Sequence, residues 1–281
     1  MRRPLVAIFF AIYPPIACGC SAAHLSNGNA SAPQSEAGPE TVRTRSLPPD
    51  GAWVRYDVNE TETIEKVSGH FKMKALGDDV EKEKTVATSE IVTLSYVGSL
   101  VEDRQPCRWV EVKNVIGDEE GGKVWIRKML VTEAGLLHND GYLTDAKVLR
   151  AWLQRPDRSI TKLDEKRGFP YVFIGTPGSL KHMARSDEMR DFSIPSLRLN
   201  AAEAWRGKRD ESRSLAGLIK VRTDTEYTAW LHPDLPTGFV RLEWKSTISF
   251  SARERATTTK VVEYSLADAG MGARSELPDH N

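Results

Sequence analysis

The stretch "YTAWLHPDLPTGFVRLEW", residues 227–244, decides the fold. Its middle, HPDLPTG, puts Pro233 and Pro236 where neither backbone nitrogen can extend a ladder, and Gly238 where a positive φ is tolerated, so the chain reverses there. Upstream, Ile219, Val221, Thr223, Thr225, Tyr227, Ala229 and Leu231 alternate with Lys220, Arg222, Asp224, Glu226 and Thr228; only Trp230 interrupts the polar set. Downstream, Val240, Leu242, Trp244, Ser246, Ile248 and Phe250 alternate with Arg241, Glu243, Lys245, Thr247 and Ser249. A period of two kept this long predicts two strands of ~40 Å, each with one buried and one wet face, joined as a hairpin.

The same period recurs outward from this hairpin. It runs through AWVRYDVNE from residue 52, HFKMKA from 70, TSEIVTLSYV from 88, RWVEVKNV from 108, KVWIRKMLV from 123 and TKVVEYSL from 259. These runs predict eight or more antiparallel strands in a meander, without enough helix between them for parallel crossovers. Two segments have helical patterning instead. Residues 144–156 begin with Thr144 as N-cap, carry Val148, Leu149, Trp152 and Leu153 on one stripe, and stop before Pro156. Residues 200–207 pair Asn200 with Glu203 at capping-box spacing and end on Gly207. A short helix could also sit within residues 180–190. Strands this long, apolar on one side only, must curl to cover that side. The expected fold is therefore mainly β, an antiparallel curved sheet forming an open half-barrel with helices across the concave face. The inward residues Tyr227, Ala229, Leu231, Val240, Leu242 and Trp244, with Trp152 of the first helix, are the candidate lining of a hydrophobic pocket, although such residues are core by default and core packing is the favoured reading.

The ends of the chain speak to compartment. Residues 1–20 have Arg2 and Arg3, an apolar run and then small residues, the layout of a secretory signal peptide. The run is too short and proline-broken for a membrane span of ~20 residues. Its end, IACGC, offers Cys18 or Cys20 as a lipidated first residue of a bacterial lipoprotein; ordinary cleavage near Ala22 or Ala23 is the alternative. Residues 21–46 are rich in Ser, Ala, Gly, Pro and Asn, and read as a disordered tether able to hold a body ~30 Å from an anchor. Residues 47–267 form the expected single β half-barrel domain, and 268–281 read as a loose tail. Lys+Arg and Asp+Glu balance at 39 each, so charge gives no reason to expect nucleic acid as a partner. The body keeps a single cysteine, Cys107, so no internal disulfide stabilises it.

No catalytic or metal constellation emerges. The six histidines, His24, His70, His138, His182, His232 and His280, form no local metal box, and neither H-E-x-x-H nor C-x-x-C occurs in the body. GTPGS at residues 175–179 matches neither a nucleophile elbow nor a phosphate loop. The acidic run at residues 117–122 lacks the alternation of a calcium loop. His232, at the hairpin turn, reads first as a locally hydrogen-bonded turn residue. No cofactor and no metal are expected.

The hairpin motif W-x-x-P-x-x-P-x-G-x-V, set by Trp230, Pro233, Pro236, Gly238 and Val240, and the early strand PDGAWVRYDV at residues 49–58 carry a resemblance. Together with the signal peptide they make the chain similar to uncharacterised exported bacterial proteins related to the lipoprotein carrier and receptor (Lol) superfamily. The resemblance spans residues 47–266. It implies an unclosed β-barrel that sequesters hydrophobic ligands, and nothing about catalysis. The expected function is that of a non-enzymatic protein of the cell envelope, periplasmic or anchored to the membrane by its own lipid, that binds a lipid or lipoprotein acyl chain. The alternative is a structural or protein-interaction module with a filled core; an envelope hydrolase ranks last.

Overall fold

A computed structural model describes residues 47–67, 84–117, 121–138, 148–163, 183–215, 219–250 and 255–278, all within one compact unit, Thr44–Asn281. The strands are β1 (Trp53–Val67), β2 (Lys84–Glu102), β3 (Gln105–Ile116), β4 (Lys123–Thr132), β5 (Val148–Gln154), β6 (Ile160–Leu163), β7 (Met183–Ile194), β8 (Leu197–Leu215), β9 (Ile219–Leu231), β10 (Phe239–Phe250) and β11 (Arg255–Gly270). One short helix, α1 (Glu133–His138), follows β4. The strands form one antiparallel sheet in the order β6-β5-β4-β3-β2-β1-β11-β10-β9-β8-β7. Two hairpin meanders, β1 to β6 and β7 to β11, are thus sewn together by the pairing of the first strand with the last. Strands β6 and β7 are the two edges and do not pair with each other, so the sheet is open.

The decisive hairpin forms as its alternation requires. Strand β9 pairs with β10 from Leu231 opposite Phe239 to Val221 opposite Phe250. Gly238 takes φ 78°, and the turn is closed by His232 N–H to Gly238 O at 2.8 Å and Gly238 N–H to Leu235 O at 3.0 Å. Register irregularities at Arg55/Tyr56 of β1, Tyr96/Gly98 of β2, Leu130/Val131 of β4 and Phe239/Arg241 of β10 gather toward this end of the sheet. Bulges increase local twist and bend, which curls the sheet. Two contacts between strands that are not neighbours record the curl. Tyr56 of β1 reaches past β11 to the hairpin turn, donating from Oη to Phe239 O at 2.8 Å and sharing a hydrogen bond with Thr237 Oγ1. Ala269 N–H of β11 donates to Ser196 Oγ in the β7–β8 turn at 3.4 Å, across the width of β8, β9 and β10.

Register puts Val54, Tyr56 and Val58 on one face with Val92 and Leu94 of β2, Val110 and Val112 of β3, Met129 of β4, Ala151 of β5, Tyr227 and Ala229 of β9, Leu242 of β10 and Tyr264 of β11. All are buried in a single cluster on the concave side. At ~25 cal/mol per Å² of apolar surface removed from water, this shared interior is the main source of stability in a chain whose described part holds no disulfide.

The described residues of the expected helices are strand instead. Residues 148–154 of the first are β5, and 144–147 lie outside the described residues. Strand β5 is covered on both faces, Ala151 toward the main core and Trp152 toward a second cluster on the convex side. A strand buried on both faces loses the polar alternation that marks strands, and its apolar run matches a helical stripe equally well. Residues 200–207 belong to β8, paired with β9 from Glu203 opposite Leu231 to Leu215 opposite Ile219. Here tertiary pairing overrides an alanine-rich local preference; Ala202 and Ala204 are buried, and Ala201 is kinked at φ 58°. Residues 183–190 of the third expected helix lie in the edge strand β7. The run HFKMKA lies outside the described residues.

The tail after β11 also differs from its expected looseness, as far as residue 278. It crosses the convex face of β3 and β4 and is held there. The Glu111 carboxylate accepts the Glu276 amide at 3.0 Å, the Leu277 amide at 3.3 Å and Ser275 Oγ at 2.9 Å. Leu277 is 2% exposed and meets Ile126 and Trp152, with Trp109 and Val124 beside them. A polar segment with one apolar residue gives no periodic signal, so nothing in its composition announces the anchor.

Candidate functional site

The concave face gathers side chains from strands far apart in sequence, and it is graded along the strands. At the end closed by the 232–238 turn, Leu235, Phe239, Leu199, Val54 and Leu94 are sealed from solvent, with Leu136 of α1 buried nearby. At mid-height an aromatic tier begins. Trp244 stacks on Tyr264 at 5.5 Å between centroids, and Tyr264 meets Tyr56 edge-on at 6.4 Å. Trp205 sits opposite Ala229 in register and is only partly buried, yet its indole Nε1 is buried without a hydrogen-bond partner.

Beyond the aromatic tier the face becomes polar. Arg127 Nη1 of β4 donates to Asn114 Oδ1 of β3 at 3.2 Å, and Asn114 Nδ2 faces Glu90 Oε2 of β2 at 3.5 Å. Burial pushes the Glu90 carboxyl above the ordinary carboxylate range, partly offset by the Asn114 contact. Lys260 of β11 pairs with Glu60 of β1 at 2.7 Å, and Thr225 of β9 bonds Ser246 of β10 at 3.0 Å. At the far rim Val86 and Ile116 are 43% and 45% exposed. The face thus runs from a dry apolar end through half-buried indoles to a wet charged mouth, an arrangement that suits an amphipath better than a polar substrate.

The residues expected to line a pocket divide. Tyr227, Ala229, Leu231, Val240 and Leu242 are buried in the main cluster, and Trp244 is half-buried against it. Trp152 is not with them. It lies on the convex side, 5.5 Å from Trp109, because β5 is a strand whose alternate residues point to opposite faces. His232 is held within the turn, with Nδ1 accepting the Asp234 amide at 3.3 Å and Nε2 placed to donate to Asn200 O at 3.0 Å. The Cys107 thiol is fully buried and pushed up by that burial. Cys18 and Cys20 lie outside the described residues. Among the described residues no three His, Cys, Asp or Glu side chains converge as a metal site, and no helix is long and apolar enough to cross a membrane.

No protein-family model and no curated protein matches this chain. Sequence reasoning missed Glu90, Asn114, Arg127 and Trp205 as neighbours of that face. Three of them are polar residues in phase with inward apolar ones, a signal that exists but acquires meaning only once cross-strand register is known.

Proposed function

We propose that this chain is an exported, non-enzymatic protein of the bacterial cell envelope that holds a lipid or acyl chain in the open trough of its half-barrel. The observation that carries the reading is the buried Trp205 Nε1, which has no acceptor and sits on a half-buried apolar tier beneath a polar rim. A buried donor left unmatched costs about 1–3 kcal/mol; the atom has no free surface in this structure, so an ester or carboxylate oxygen of a bound amphipath would reach it only when the side chains over it part. The sheet is antiparallel and unclosed, with β6 and β7 at its two edges, which supports an open trough. On this reading residues 1–20 direct export, and Cys18 or Cys20 carries a lipid that ties the body to the membrane through residues 21–46.

A second reading has its own support. The lower tier is so completely buried that no room remains beside Val54, Leu94 or Val110, which favours a filled core and a role in binding protein. The two separate by experiment. The body from residue 47 onward, purified from a bacterial envelope, should appear in native mass spectrometry with a lipid-sized adduct that organic extraction removes and added fatty acid restores. A single unliganded mass under all these conditions would leave the interaction module standing.

A further inference from the structure

We propose that the convex face of β3, β4 and β5 is a binding site for extended peptide, whose resident ligand is the chain's own segment around Leu277. Glu111 and Lys128 are directly opposite in register, and both are nearly buried, at 4% and 2% exposed. Both direct polar atoms at the segment. Glu111 takes two successive amides and the Ser275 hydroxyl, while Lys128 Nζ donates to Leu277 O at 3.2 Å. Lys128 also lies 5.1 Å from the centroid of Trp109, so the ammonium is framed by an aromatic ring. Between these two charges Leu277 fills an apolar recess of Ile126 and Trp152. Lys113 pairs with Glu276 at the rim at 2.9 Å.

Such a site reads a pattern rather than a whole surface. It asks for two consecutive amides, the carbonyl of the second of those residues, a large aliphatic side chain on it, and an acidic residue before it. A buried carboxylate and ammonium are costly when their partners leave, so a vacated site retains affinity for any segment that restores them. The connection to the sheet is slight. Met271 is exposed, Gly272 turns the chain at φ 94°, and before the anchor the backbone bond is Ala273 N–H to Gly51 O at 2.9 Å. The segment is therefore attached through one short anchor, as a peptide ligand would be. This inference rests on the convex face alone and is independent of what the trough holds.

The test uses the full chain with Leu277→Asp, which frees the site of its own anchor and leaves Glu111, Lys128, Trp109 and Trp152 intact. A fluorescent peptide spanning residues 273–281 should bind this variant saturably by anisotropy and bind the wild-type chain at least tenfold more weakly, because the resident segment competes. The same peptide with Leu277→Ala should lose about ten- to a hundredfold in affinity, the burial of one leucine. Adding Glu111→Gln to the receiving chain should weaken binding further. A Leu277→Asp chain that is folded by circular dichroism yet binds no peptide overturns the proposal, as does equal binding to wild type. Should Leu277→Asp fail to fold, the wild-type chain with a protease site inserted between Met271 and Gly272 replaces it. After cleavage the released peptide should dissociate on dilution and rebind on concentration; irreversible loss would overturn the site.

Discussion

Replacing Tyr56 by Phe removes one oxygen and leaves the ring, so it isolates the bond that joins β1 to the hairpin turn across β11. The Tyr56 Oη donates to Phe239 O at 2.8 Å and also bonds Thr237 Oγ1, in surroundings sealed from water. A net hydrogen bond contributes about 0.5–1.5 kcal/mol, and a buried acceptor stripped of its donor costs about 1–3 kcal/mol. Tyr56→Phe should therefore lower stability by about 1–3 kcal/mol, or roughly 2–10 °C in melting temperature for a body of this size. Urea unfolding should show a lower midpoint at unchanged slope, since the surface exposed on unfolding stays the same. The sharper form is a double-mutant cycle with Thr237→Val. If the sheet curls as described, the two changes share one bond and the coupling should be about 0.5–3 kcal/mol. Strictly additive effects, or a loss under about 0.3 kcal/mol for Tyr56→Phe, would refute the curl, because in a flat sheet these residues do not meet.

Glu90 gives a pH signature. Its folded-state acidity is weakened by burial, so the native state holds the proton more tightly than the unfolded chain does. The stability this gives is complete below the unfolded-state pKa near 4.5 and is lost as pH rises through the higher folded-state value. Glu90→Gln should therefore gain on wild type across that rise, and parallel curves from pH 4 to 7 would contradict it. Cys107, buried with a raised thiol pKa, should resist iodoacetamide in the native chain and react fully in urea, as mass spectrometry would report. Glu111→Ala strips the Glu276 and Leu277 amides of their acceptor, while the Ser275 hydroxyl keeps Leu277 O at 2.7 Å, and should cost about 1.5–3 kcal/mol in chemical denaturation; a neutral result would mean the tail is not docked. Changing both Cys18 and Cys20 to Ser should release the protein from membranes if it is lipidated, and unchanged fractionation would remove the anchor.

How plainly the sequence shows a strand follows from how many of its faces are wet. Strands β9 and β10 each keep one solvated face, so alternation fixed their limits almost to the residue and Pro233, Pro236 and Gly238 fixed the turn. Strand β5 is covered on its outer face by Leu277, and that cover erased the alternation and made Trp152 look like part of a helix. In β8 the alanines at 202 and 204 have little to say locally, and pairing with β9 decides their conformation. The inward set from Tyr227 to Leu242 was legible for the same reason as its strands. The chain from Glu90 through Asn114 to Arg127 was not, because three polar residues on three strands become neighbours only through register.

The claim that matters most is that an apolar chain enters the trough beside Trp205 and Trp244, and bromine quenching tests it directly. Brominated fatty acid added below its aggregation threshold should quench tryptophan fluorescence saturably, and the quenching should shrink in Trp205→Phe and Trp244→Phe chains but persist in Trp109→Phe and Trp152→Phe, whose rings lie on the convex side. Absence of saturable quenching, or quenching that disappears only with the convex pair, would contradict the account.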